Sequence, residues 1–200
     1  MTLSLDPFLG RTRIMAILRG LPADETVALA ERLWDAGVTA LEVPISRPGA
    51  VDALRATVDA ADRRGLVVGA GTVTTPDLAR TAAEAGARYT VAPGLDLTVL
   101  AASLHAGLPH LPGVGTASEV QRATAAGCRW VKAFPAGPLG PGWASALHGP
   151  FPDVQIVATG GLTPADVPTY LENGAAVVAL GSALADPGSA DALRPYLRRH

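Results

Sequence analysis

The chain has 200 residues, 48% hydrophobic and 17% charged, with sixteen basic against eighteen acidic side chains and a formal net charge of -2. This is ample apolar material for one core, which excludes a disordered chain, and no basic block offers itself to nucleic acid or an anionic membrane. No apolar run reaches the roughly 18 residues that span a bilayer, the start at Met1 lacks the pattern of a secretory signal, and the lone cysteine, Cys128, allows no internal disulfide, so a cytoplasmic protein is expected.

Eight short apolar runs alternate with eight amphipathic stretches. The first run, Ile14 to Leu18, ends at Arg19-Gly20, and a helix opens at Pro22 and stops at Ala36-Gly37. The second, Ala40 to Val43, carries Glu42 and leads into Pro44 to Arg47. The third, Val67 to Ala70, runs into Gly71-Thr72, and Thr75-Pro76-Asp77 opens a helix that ends at Ala85-Gly86. The fourth, Tyr89 to Ala92, precedes Pro93-Gly94 and a helix from Asp96 to Gly107. His110-Leu111 is the fifth and weakest, followed by Pro112-Gly113 and a helix from Thr116 to Gly127. The sixth, Trp130 to Phe134, holds Lys132. The seventh, Val154 to Thr159, meets Gly160-Gly161 and a helix from Thr163 to Gly174, and the eighth, Ala176 to Leu180, meets Gly181-Ser182. Eight units in 200 residues leave 25 for each, with no break in composition. That period predicts an α/β chain folded as a single (β/α)8 TIM barrel over residues 1–200, with a doubly wound open sheet as the rival. In a barrel the polar and glycine-rich run ends converge on one face, where ligands bind.

Fifteen of the sixteen basic residues are arginine, and Lys132 is the only lysine. An amine can lose its proton and attack a carbonyl, whereas a guanidinium stays protonated. Strand alternation turns Lys132 away from Val131 and Ala133, either into the barrel or onto the helix layer. Its bland reading is a packed stem with a solvated head. Glu42 interrupts another apolar strand, where a carboxylate is costly unless paired or working; it suits a general base, or an ion pair with Arg19. Arg19 is placed to fork onto a substrate carboxylate. The small residues of Gly69-Ala70-Gly71-Thr72 would let a ligand approach the strand. Gly160-Gly161 and Gly181-Ser182 lie where barrels often cradle a phosphate on backbone N–H groups, although tight turns explain each glycine singly. His105, His110, His148 and His200 show no metal-ligand spacing, so no metal is expected, and Cys128 reads as core filler.

Taken together, Ile17-Leu18-Arg19-Gly20, Leu41-Glu42-Val43-Pro44, Gly69-Ala70-Gly71-Thr72-Val73, Pro93-Gly94, Leu111-Pro112-Gly113 with Thr116 and Glu119, Lys132-Ala133-Phe134-Pro135-Ala136 and Thr159-Gly160-Gly161 resemble the family of 2-keto-3-deoxy-6-phosphogluconate and 6-phosphogalactonate aldolases. The resemblance runs from about Arg13 to about Leu184. It implies a class I aldolase without metal or organic cofactor, usually a homotrimer, acting on a small phosphorylated keto acid. Lys132 would be the Schiff-base lysine and Glu42 the acid/base. Arg19, Thr72, Pro93, Phe134 and Thr159 would surround the pyruvyl part, and Gly160, Gly161, Gly181 and Ser182 the phosphate. Alternatives are a 4-hydroxy-2-oxoglutarate aldolase using the same lysine and a non-catalytic sugar-phosphate-binding barrel. Three departures stand out: Gly137 where the family commonly has glutamate, Ala133 in place of a bulkier residue, expected to widen the pocket, and Ser46-Arg47 where the gluconate branch has an arginine four residues after Glu42.

Overall fold

The computed structural model describes residues 3–185 and 188–197; His200, set aside above as a metal ligand, lies outside them. Among the described residues nine strands make one parallel sheet: β1 (Ile14–Ile17), β2 (Ala40–Pro44), β3 (Val68–Gly71), β4 (Thr90–Val91), β5 (His110–Leu111), β6 (Gly113–Val114), β7 (Trp130–Ala133), β8 (Gln155–Thr159) and β9 (Val177–Leu180). They neighbour one another in the order β5-β4-β3-β2-β1-β9-β8-β7-β6. β5 and β6 are one barrel strand divided at Pro112, so the two ends of that order meet and eight staves close. Pro112 has no N–H to give, but its carbonyl accepts from Lys132 N at 2.8 Å, tying the divided strand to β7. The division explains why the fifth run was the weakest in the sequence.

Alternation along the staves sorts two layers of core. Met15, Ile17, Tyr89, Leu111, Trp130, Val157 and Val177 fill the barrel, and α1 (Asp6–Leu9) plugs its lower end with Leu5 and Leu9. Asp6 Oδ1 holds that plug by accepting from the Trp130 indole N–H at 2.9 Å. Leu18, Leu41, Val43, Val68, Ala70 and Leu180 face outward beneath α2 (Ala23–Ala36), α3 (Ala50–Asp62) and α4 (Pro76–Glu84). The remaining helices follow in order: α5 (Leu97–His105), α6 (Ala117–Ala125), α7 (Ala136–Leu139), α8 (Gly142–His148), α9 (Val167–Glu172) and α10 (Ser189–Leu193). Their start signals work as the sequence suggests. Thr75 accepts from Leu78 N, Asp96 from Thr98 N and Val99 N, and Thr116 and Glu119 complete a capping box, each cap contributing about 1 kcal/mol. Glu119 also accepts from Gly115 N at 2.9 Å, so its place in the motif is the fixing of the turn after β6. No helix among the described residues is long and apolar enough to cross a membrane.

Candidate active site

Glu42 and Lys132 are on inward positions of β2 and β7, four staves apart in the ring, and they meet across the barrel interior. Lys132 Nζ is 3.9 Å from Glu42 Oε1, with the two side chains 6% and 1% exposed. That distance is an ion-pair distance, too long for a hydrogen bond. Glu42 Oε2 is buried without a hydrogen-bond partner on the protein. Burial pushes the Glu42 carboxyl above its ordinary value, against the pull of the Lys132 and Arg19 charges. A carboxylate so placed holds a proton more readily than one in water, which suits it to giving and taking one. The ion pair of Glu42 is thus made with Lys132; Arg19 acts on it only through its field, and the Glu42–Arg19 pair weighed from sequence is not the one formed.

The sequence assigned the third-strand glycines to ligand approach, and the structure assigns them otherwise. A Cβ on Gly71 would lie 3.0 Å from Glu42 Cδ, and one on Gly69 would fall inside the Tyr89 ring. These glycines make room for the acid and for the aromatic floor beneath it. Tyr89 donates its hydroxyl to Leu41 O at 2.6 Å, and burial, then the Glu42 charge, push its phenol well above the ordinary value despite a backbone hydrogen bond at Gly69. Tyr89 is a part of the site that sequence reading passed over; its signal was an aromatic two residues before inward Val91, opposite a glycine.

Two cavities open above the pair and share Arg19, Leu21, Lys132 and Phe134. The larger, about 630 Å³, also takes in Thr72, Pro93, Ser46, Arg47 and Asp52. The smaller, about 240 Å³, takes in Thr159, Gly160, Gly161, Gly181 and Ser182. The structure therefore brings the proposed substrate-binding residues to one face, with Thr72 and Pro93 on one side of the lysine, the glycine loops on the other and Arg19 bordering both. Thr72 has φ +58°, the left-handed region that a β-branched residue rarely adopts, and such strain costs of order 1–3 kcal/mol. Val73 N, bonded to Val91 O at 3.0 Å, holds the chain just beyond it. Phe134 forms the ridge between the cavities, its ring centroid 5.2 Å from Lys132 Nζ. Gly160 lets that ridge lie close, since a Cβ there would come within 3.1 Å of the Phe134 ring.

Three expectations change in detail. Thr159 lines the smaller cavity, but its hydroxyl is given to Ala179 O at 3.0 Å, leaving it only an acceptor for a ligand. Ala133 points outward among Val114, Val131 and Ala144, so its small size does not widen the pocket. Gly137 donates its N–H to Gly160 O at 2.9 Å, and a Cβ there would lie 3.3 Å from that oxygen. Here the position left by the family's glutamate braces the glycine loop. Gly160 and Gly161 have φ of +103° and +76°, so they serve the turn as well as lining the cavity, whereas Gly181 does not need a positive φ. Arg47 and Ser46 line the larger cavity, a role that only their position after β2 signalled. Among the described residues no group of three His, Cys, Asp or Glu could hold a metal ion.

The fold and the site together define the class of this protein as a parallel α/β barrel that buries one lysine beside one carboxylate under a two-part cleft. The chain matches the family described as "Aldolase: KDPG and KHG aldolase" over residues 5–193, and it belongs to that family. A 2-dehydro-3-deoxy-6-phosphogalactonate aldolase of Escherichia coli (strain K12) is 35% identical over 172 residues, which is 86% of this chain and 83% of that one. The KDPG aldolase of Legionella pneumophila, captured with pyruvate as a covalent carbinolamine, superposes with a TM-score of 0.84 at 28% identity, over 94% of this chain and 91% of that one. The 2-keto-3-deoxy-6-phosphogluconate aldolase of Zymomonas mobilis ZM4, solved with 3-phosphoglycerate, gives 0.83 at 29%, over 96% and 92%.

Proposed function

We propose that this protein is a class I aldolase that cleaves a 2-keto-3-deoxy-6-phospho sugar acid, of the phosphogluconate or phosphogalactonate type, to pyruvate and glyceraldehyde 3-phosphate. The observation that carries the reading is the buried Lys132–Glu42 pair at 3.9 Å, set where two cavities meet. The aldolase names of the relatives, and the covalent pyruvate held by the Legionella pneumophila enzyme, support the same reading.

Lys132 Nζ adds to the C2 ketone of the substrate, and loss of water leaves an iminium conjugated to the bond that must break. Glu42, acting through a water, takes the C4 hydroxyl proton; the C3–C4 electron pair moves into the iminium, releasing the aldehyde and leaving an enamine. Protonation at C3 by the same acid and addition of water at C2 free pyruvate and regenerate the amine. Arg19, Thr72 and Pro93 take the carboxylate side, Phe134 packs on the pyruvyl carbons, and Thr159 accepts a hydrogen bond. Gly160, Gly161, Gly181 and Ser182 take the phosphate largely on backbone N–H groups. No metal or organic cofactor enters these steps. A single barrel domain spanning residues 1–200, a homotrimer and a cytoplasmic setting complete the proposal; sedimentation at three times the 20.3 kDa chain mass is the result that fits the assembly.

The test is borohydride reduction in the presence of pyruvate, followed by peptide mapping. One reduced pyruvyl adduct on Lys132 is the expected result. Unmodified protein would leave a sugar-phosphate-binding barrel. Cleavage that is indifferent to removal of the substrate phosphate would instead favour a 4-hydroxy-2-oxoglutarate aldolase.

A further inference from the structure

No hydrogen bond among the described residues holds the Glu42 carboxylate in place. Its Oε2 has no partner on the protein, and its Oε1 has only Lys132 Nζ at 3.9 Å. Where the acid stands is therefore decided by its walls and by the backbone that carries it. Gly71 leaves room on one side, since a Cβ there would lie 3.0 Å from Glu42 Cδ. The backbone is held from below, by Tyr89.

Register sets Glu42 opposite Gly69 on β3, and the fully buried Tyr89 ring fills the slot that Gly69 leaves. From there the phenol donates to Leu41 O at 2.6 Å, the carbonyl of the peptide unit that joins Leu41 to Glu42. Such a contact resists displacement, because the hydroxyl would otherwise be left buried without its acceptor. Burial, then the Glu42 charge, push the phenol well above its ordinary value, so it stays protonated and keeps donating throughout the neutral range. Phe8 of α1 packs on the same ring, with the two centroids 5.4 Å apart. Neither cavity above the pair is lined by Tyr89, so it does not meet substrate.

We propose that Tyr89 is a positioning residue for Glu42: its hydroxyl, held on Leu41 O, fixes the peptide that carries the acid and so the 3.9 Å that separates it from Lys132 Nζ. The inference rests on the aldolase reading of that pair. The charged and titratable groups acting on Glu42 are Lys132 from β7, Arg19 beyond the end of β1 and Tyr89 itself. Lys132 and Arg19 draw the Glu42 value down against burial, and their pull weakens once the acid is free to drift.

The test removes the hydroxyl and keeps the ring. Tyr89→Phe should lower kcat about tenfold and leave KM nearly unchanged, since small misplacements of a reacting group carry losses of that order or more. The acid limb of kcat/KM should move upward by roughly half a pH unit, because burial is then less opposed by neighbouring charge. Phe8→Leu is the contrast. It loosens the packing on the ring but keeps the hydroxyl on Leu41 O, so it should lower Tm and leave kcat and the acid limb in place. Tyr89→Met, a flexible apolar filler, carries the same expectation as Tyr89→Phe if that variant does not fold. Wild-type protein is assayed alongside; absence of both cleavage and the borohydride-trapped adduct removes the aldolase reading and the proposal with it. With both present, a hydroxyl-free variant that keeps either the wild-type kcat or the wild-type acid limb overturns the positioning role alone. So does a Phe8→Leu protein whose limb shifts equally, or failure of both Tyr89 variants to fold.

Discussion

Two clusters of polar side chains are buried to the same degree in this barrel and do opposite things. Lys132 and Glu42, on inward positions of β7 and β2, are both ionisable partners kept 3.9 Å apart, with one carboxylate oxygen unpartnered. Thr90, Ser103 and His110 sit between β4, β5 and α5, joined by hydrogen bonds of 2.8 and 2.9 Å, with a ring that burial keeps neutral. The difference lies in direction more than in burial. The first pair faces the upper barrel, where the strand ends and their loops leave a cleft; the second faces the helix layer, where hydroxyls answer most of its needs. Burial alone does not mark an active site; burial of opposed charges under an open cleft does.

Replacing Lys132 should separate the clusters most sharply. Lys132→Arg keeps the charge beside Glu42 but offers no imine-forming amine, so turnover should fall to background and the borohydride-trapped adduct should vanish. Surviving activity would refute the covalent route. Glu42→Gln should cut kcat by roughly 10²-fold or more while the pyruvate adduct still forms slowly, because a positioned proton carrier is lost and the amine is kept. With Glu42 raised by burial, the acid limb of kcat/KM should lie above the ordinary carboxylate value of 4.5 and should disappear in the glutamine variant. An unchanged pH profile would leave Glu42 as an ion-pair partner.

The glycine loops call for a milder change. Gly161→Val would mix occlusion with strain, because φ there is +76°. Gly181 is the cleaner position: a Cβ would meet Ile17 only at 3.8 Å, an ordinary contact, while entering the smaller cavity. Gly181→Val should raise KM for the phosphorylated substrate about tenfold and leave pyruvate trapping nearly untouched, since it removes binding remote from the reacting carbon. An equal loss on the dephosphorylated analogue would move the phosphate to the Arg47 side of the cleft.

How far these clusters were legible in the sequence follows from what each rests on. The single lysine, the carboxylate inside an apolar strand and the 25-residue period were visible because each breaks or repeats a local pattern. The approach of Lys132 to Glu42 across four staves was not, since it depends on closure of the ring and on Gly71 yielding space to the carboxylate. For the same reason the third-strand glycines were misread: the tenants of their space, Tyr89 at Gly69 and Glu42 at Gly71, come from other staves. Pro112 was read as a strand end and proved to divide one stave, which only the pairing of β5 with β4 and of β6 with β7 reveals. His110 passed as an ordinary histidine because its partners, Thr90 and Ser103, lie on a neighbouring stave and on a helix.

The remaining expected effect touches stability and leaves catalysis alone, and it sets the two clusters against each other in one pH range. An unfolded histidine titrates at 6.5 and folded His110 at about 4, so between these values the unfolded chain binds the extra proton and stability falls as pH falls. Across the whole window the loss is on the order of 3 kcal/mol, at about 1.4 kcal/mol per pH unit. Glu42 works the other way: its folded value is raised above 4.5, so its contribution is full below 4.5 and is lost as pH rises through the folded value. Wild-type protein therefore hides part of each slope behind the other. Chemical denaturation of His110→Phe from pH 7 to 4 should remove the acid-side loss, and the same series on Glu42→Gln should steepen it. A His110→Phe profile parallel to wild type would mean that the ring is already charged in the folded state, and the neutral histidine would then have to be given up.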